Sequence, residues 1–292
     1  MSQIKAIKGN IIFTKNFGEY EIIENGYVVL VNKIIKGVYE VLPEELKNAL
    51  VTDYGDKLII PGFVPTCTTK LLRGLGDLAE KYKIPVQSHL SENKDEIEFV
   101  KSLHPEYKNY ASIYKDAGLL GNQPTIMAHC VLLEDEEIEM LRQNKVFVAH
   151  SPNSNSNLAS GIAPIRKFIT EGIPIGLASD ISGGHSLSMC NVIVDSAQAS
   201  NIKWLESGKK EAPLNTAELF YLATKGSGSF FGKVGSFEKD YEFDALIIDD
   251  SSLKSFKKLS IQERLQKFIY TGNPKNIIKR YVAGKVIDEP YM

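Results

Sequence analysis

Residues 86–93 read VQSHLSEN, 126–130 read IMAHC, 148–155 read VAHSPNSN and 175–180 read IGLASD. Each is a short apolar run that ends in a residue able to bind metal or move a proton. Successive strands of a (β/α)8 barrel have this form, because their bodies are buried and their C-terminal rims carry the site. Helix-like runs separate the strands. KLLRGLGDLAEKYK (70–83) places Leu71, Leu72, Leu75, Leu78 and Ala79 on one face. NKDEIEFVKSL (93–103) and EDEEIEMLRQN (134–144) begin with acids, which suit the positive end of a helix dipole. IAPIRKFITEG (162–172) ends at Gly172, a C-cap candidate, and SLSMCNVIVDSAQASNIKWL (186–205) predicts a longer helix. With FVPTC (63–67) five strand candidates are visible, and the alternation predicts βα units and a parallel sheet. The segment from 101 to 122 reads as an insertion, a lid or a rim subdomain.

The two ends of the chain read differently. IKGNIIF, EYEIIENGYVVLVN and KIIKGVYEV are β-rich runs broken by Asn-Gly and Lys-Gly turn signals, and FDALIIDD and NIIKRYVAGKVID return to strand character. The expected organisation is a β-sandwich module from residues 1–60 and 236–292, with residues 61–235 forming an incomplete (β/α) barrel domain. A full barrel takes eight strands and about 250 residues, so the stretch from 64 to 213 has room for roughly half of one.

Composition narrows the function. Hydrophobic residues make up 43% and charged residues 24%, and the formal net charge is −2, which leaves no basic field for nucleic acid. No apolar run approaches the roughly 18 residues of a membrane span, and MSQIKAIKGNIIFTK lacks the apolar core of a secretory signal. Three cysteines, Cys67, Cys130 and Cys190, without Cys-x-x-Cys spacing, read as buried thiols in a reducing cytoplasm.

The candidate chemistry lies at the strand ends. His89 and Glu92, three apart, suit a metal ligand and a carboxylate reaching the same water, since zinc brings water's pKa to about 7 and a nearby Glu shuttles its proton. A surface turn with Ser91 capping a helix and Glu92 in solvent would read the same way. His129 ends an apolar strand as a ligand or as a satisfied buried side chain. Asp180, before the pair Gly183–Gly184, is a ligand, a proton acceptor or a turn residue. His150 and the SPNSN after it line a pocket or form a turn. His104 falls in the insertion and reads as non-functional, while His185 reads as a rim residue or a bystander. His89, Glu92, His129 and Asp180 each fall at the end of successive strand runs, so the fold is expected to bring them together.

These motifs resemble the amidohydrolase superfamily, and within it the guanine deaminases. The resemblance rests on LIIPGFV, QSHLSENKDE, YKNYASIY, MAHC, AHSPNSN, IGLASDISGG with SLSM, and EFDALIID, spread over nearly the whole chain. SHxSEN with PNSN points to guanine deaminases above cytosine deaminases or chlorohydrolases. The resemblance implies one zinc ion per chain with His89, Asp180 and His129 as metal residues. It implies Glu92 as general acid/base, Asp180 as second proton acceptor and His129 as the residue that orients water or the tetrahedral intermediate. It further implies guanine as the substrate, xanthine and ammonia as products of purine catabolism, and a homodimer. After PGFV the family continues Asp-x-His-x-His, whereas this chain continues Pro65, Thr66, Cys67, Thr68, Thr69. PTCTTKLLRGLGDLAEKY resembles instead the fourth-strand region, so an internal deletion is read near Gly62–Val64. It removes two zinc-binding histidines, the glutamine after them and the arginine before strand four. Lost strands predict unpaired sheet edges, self-association and weak metal binding. An inactive remnant acting as a binding or assembly partner is the alternative function.

Overall fold

A computed structural model describes residues 4–14, 20–31, 34–59 and 69–287. The chain divides into two compact units, 1–66 and 67–292. The first is a four-stranded sheet of β1 (Ile4–Thr14), β2 (Tyr20–Val31), β3 (Ile34–Tyr39) and β4 (Leu50–Ile59). Its order is β3-β2-β1-β4, antiparallel except for the parallel β1–β4 pair. Ala6, Val29 and Ala49 are buried at its centre, with Tyr27, Tyr39, Leu42 and Leu46 packed against them.

The Asn-Gly and Lys-Gly pairs expected as turns lie inside these strands. Asn25 has φ +51, its N–H donates to Asn10 Oδ1 at 3.0 Å, and the β1–β2 register shifts between Gly9 and Ile11. The β2–β3 register shifts between Val29 and Leu30, opposite Gly37 and Ile35. Both are β-bulges, in which an extra residue twists a strand instead of reversing the chain.

The second unit holds the α/β repeat. It runs α1 (Thr69–Tyr82), β5 (Val86–Leu90), α2 (Lys94–Leu103), α3 (Tyr110–Asp116), β6 (Thr125–His129), α4 (Asp135–Gln143), β7 (Phe147–His150), α5 (Pro152–Asn157), α6 (Ile165–Thr170), β8 (Ile175–Leu177) and α7 (Met189–Glu206). β5, β6, β7 and β8 form one parallel sheet in chain order, a partial TIM-type barrel. Leu90, Met127, Val148 and Ile175 are buried, as strands covered on both faces require. After α8 (Thr216–Tyr221), β9 (Ala245–Ile248), α9 (Ile261–Thr271), β10 (Ile277–Val282) and β11 (Lys285–Ile287) add an antiparallel sheet of order β11-β10-β9. The candidate strand FVPTC, Cys67 and the junction at 62–65 lie outside the described residues. Among those described, no helix is long and apolar enough to cross a membrane, and Cys130 and Cys190 are free thiols.

Two expectations change. The buried face of α1 is Leu72, Gly76 and Ala79, while Leu71 and Leu78 are exposed. Gly76 carries the contact, because a Cβ there would lie 1.8 Å from Ala117 O. The 101–122 segment is integral rather than a lid: Tyr110, Ala111, Ile113 and Tyr114 are buried, and Tyr114 OH hydrogen-bonds Ser88 Oγ on β5 at 2.9 Å.

The outer edge of β8 is closed. Ala178 N–H donates to His150 O towards β7 at 2.9 Å, so strand alternation turns the Leu177 N–H to the opposite edge. There Ser227 Oγ accepts it at 3.1 Å and itself donates to Leu222 O at 2.7 Å. Ser227 follows a π-helical turn, Leu222–Gly226. The turn comes this close because glycines meet it, since a Cβ on Gly176 would lie 2.6 Å from Ser227 Oγ and one on Gly226 3.0 Å from Ile175 O. Ser227→Ala strands the Leu177 N–H, and the expected cost is about 1–3 kcal/mol in urea unfolding, with stronger association at high concentration in sedimentation. An unchanged urea midpoint would count against the closure.

Candidate active site

β5 and β6 pair in parallel with His89 opposite Ala128 and Leu90 opposite His129. In an unbroken pleat that register sends the two histidines to opposite faces. His129 breaks the alternation with φ +70, followed by Cys130 at +50, and the His89 and His129 rings meet edge-on with centroids 5.0 Å apart. Left-handed backbone is uncommon for residues other than glycine and costs about 1–3 kcal/mol unless its surroundings hold it. Here hydrogen bonds hold it. Cys130 N–H donates to Leu90 O at 3.0 Å, and the Val131 and Leu132 N–H groups both donate to Ser91 O at 3.1 Å.

Ser91 turns the chain with φ +49 and is buried, which sets Glu92 beside His129. The surface-turn alternative therefore fails: Asn93, not Ser91, caps α2 by accepting from Glu96 N–H at 2.9 Å, and the Glu92 side chain is 13% exposed. The Glu92 N–H donates to Glu96 Oε2 at 2.7 Å, and Glu96 Oε1 accepts from Tyr110 OH at 3.0 Å. Asp180 lies three residues past β8 at φ +45, in a loop closed by a 2.6 Å hydrogen bond from Gly184 N–H to Asp180 O. Gly184 is obligatory there, since a Cβ on it would lie 1.9 Å from Ser179 O, whereas one on Gly183 would displace the Ser154 hydroxyl, 2.5 Å away.

The structure thus gathers all four expected residues. Ligand atoms of His89, Glu92 and His129 lie within 4.8 Å of one another. His129 Nε2 is 3.7 Å from Glu92 Oε2 and 3.9 Å from Asp180 Oδ2. His129 Nδ1 is 2.8 Å from Asn155 Oδ1, which can only accept, so the proton sits on Nδ1 and Nε2 presents its lone pair. A lone pair and two carboxylates converging without a donor between them form a site for a cation. Ligands about 2.1 Å from a tetrahedral zinc ion stand about 3.4 Å apart, and the His129–Glu92 and His129–Asp180 separations of 3.7 and 3.9 Å come within about half an ångström of that, so the donor set suits a divalent metal.

The other histidines stay outside this group. His104 is buried, with Nδ1 3.3 Å from Thr69 Oγ1. His185 is exposed, 3.9 Å from Asp195 and 3.3 Å from Asn157 Nδ2. His150 is buried, and burial first, then the cost of a positive charge close to the His129 ring, pushes its pKa down to about 3. Two site residues escaped the sequence reading as individuals. Asn155 was visible only as part of SPNSN. Ser160, whose Oγ donates to Glu92 Oε1 at 2.9 Å, carried no signal.

The chain matches the amidohydrolase family over residues 39–287. It belongs to that family. This amidohydrolase is 42% identical to a guanine deaminase of Dictyostelium discoideum over 79% of the chain and 52% of the relative. It is 37% identical to the Homo sapiens guanine deaminase over 79% of the chain and 53% of that protein. The chain therefore spans about half the length of the curated relatives it matches. The solved guanine deaminase from C. acetobutylicum with bound guanine superposes with a TM-score of 0.76 at 34% identity, covering 98% of this chain and 100% of that one. The E. coli guanine deaminase, at 20% identity and a TM-score of 0.70, shares the fold.

Two outcomes follow for this amidohydrolase site. Asn155→Ala removes the acceptor that fixes the His129 tautomer, and zinc affinity measured by chelator competition is expected to fall about 10- to 100-fold, with circular dichroism unchanged. For His150, the unfolded chain binds a proton near pH 6.5 that the folded chain takes only near pH 3. Its stabilising effect is full above the unfolded value and is lost as the pH falls through that window. His150→Gln is expected to show a shallower loss of stability than wild type between about pH 7 and 5 in urea titrations.

Proposed function

We propose that this protein carries the acid/base and metal-binding half of a guanine deaminase site and hydrolyses guanine to xanthine and ammonia with zinc. The observation that supports it best is the convergence of His89, Glu92, His129 and Asp180 at the ends of β5, β6 and β8, in a chain whose relatives are guanine deaminases. His89, His129 and Asp180 would hold the zinc, which when bound supplies Lewis-acid activation of water near neutral pH. Glu92 takes a proton from the attacking water through Oε2 as a bond forms between its oxygen and C2 of guanine. It passes that proton to N3, which has taken the electron pair of the C2–N3 double bond. Asp180 accepts the second proton from the added oxygen and delivers it to the exocyclic nitrogen, so the C2–O double bond forms, the bond from C2 to that nitrogen breaks, and ammonia leaves. The same reading carries a cytoplasmic location, a homodimer, and the division into a 1–60 plus 236–292 sandwich module and a 61–235 barrel domain.

One observation favours a second reading, an inactive remnant that binds or assembles with a partner. Pro65–Thr69 stands where the resemblance implies Asp-x-His-x-His. Guanine turnover by the purified chain in zinc-supplemented buffer separates the two, with Glu92→Gln as control. Xanthine formation that falls by about 100-fold or more in the variant is expected for a working general acid/base. Folded protein without turnover would leave the second reading.

A further inference from the structure

Resting on the reading of Glu92 as the proton carrier, we propose that Ser160 is a positioning residue that assigns the two oxygens of Glu92 different jobs. Ser160 is buried, and its Oγ donates to Glu92 Oε1 at 2.9 Å. Glu92 Oε2 is the oxygen that faces His129 Nε2, at 3.7 Å. A carboxylate on a two-carbon stem otherwise exchanges its oxygens by rotation. One oxygen pinned by a hydroxyl leaves the other as the proton-carrying atom, aimed at the site.

The hydroxyl is itself fixed by the backbone. α5 ends at Asn157, Leu158 N–H donates to Ser154 O at 2.9 Å, and Ala159 turns the chain at φ +55. Ser160 N–H then returns to Asn155 O at 2.8 Å. Asn155 is the residue that fixes His129. A six-residue turn thus holds a metal-binding histidine at its start and the proton carrier at its end. Its two side chains cannot shift independently, so the spacing between Glu92 and His129 is set by one rigid piece of backbone.

Ser160→Ala in the full chain is expected to lower kcat for guanine about 10- to 100-fold with KM nearly unchanged. Zinc affinity and thermal midpoint stay near wild type, and Ser160→Thr, which keeps the hydroxyl, recovers most of the rate. An unchanged kcat in Ser160→Ala overturns the proposal, as does a loss that tracks zinc affinity. If the wild-type chain does not turn guanine over, the functional reading fails and the crystal structure of Ser160→Ala decides this one. A Glu92 carboxylate rotated away from His129 supports the proposal. A carboxylate that stays in place overturns it.

Discussion

The left-handed backbone at His129 is the constraint on which the site depends. Parallel pairing of β5 and β6 fixes the register, and the register alone would separate His89 from His129. A single strained residue brings their rings together at 5.0 Å. The same bend recurs at Ser91, Cys130 and Asp180, each with positive φ and each at a strand exit. Hydrogen bonds from Cys130, Val131 and Leu132 to Leu90 and Ser91 tie two of these exits into one corner. The functional groups are therefore carried by strand ends and held by the sheet, which is the arrangement that keeps reactive groups in place.

Polar burial follows the same geography. Among the described residues, buried side-chain atoms without a partner include Ser91 Oγ, His150 Nδ1, Asn153 Nδ2, Ser154 Oγ and Asn155 Nδ2. All flank the corner that β5, β6 and β7 build. A polar atom left unpaired in a packed interior costs about 1–3 kcal/mol, and water or a bound ligand meets it. The apolar strands behind it, with Met127 and Val148 fully buried, offset that cost.

Much of this was legible in the sequence, and the reasons for the rest are physical. The four strands, the acid-led α2 and α4 and the long α7 could be read because burial and dipole leave a pattern at fixed period. His89, Glu92, His129 and Asp180 could be read because each ended such a pattern. The bulges at Asn25 and Lys36 could not, since a pair that favours positive φ serves a turn or a bulge equally well and only the pairing strand decides. Ser160 could not either, because a serine after a loop has no period and its meaning lies in a contact 68 residues away. On α1, Leu71 and Leu78 misled because a leucine stripe reports apolarity, while the buried face was set by where Gly76 lets the backbone of Ala117 approach.

The serine hydroxyl at the end of β8 turns that edge into an occupied seat. A strand from any source that came to lie along Leu177 would have to evict Ser227 and take over its hydrogen bond, and its backbone would need to pass where the turn after Gly226 now rests. Closure of this sheet by its own chain and extension of it by another are therefore competing states of one molecule. Because Asp180 lies only three residues beyond Leu177, the balance between them would be felt at the carboxylate that faces His129.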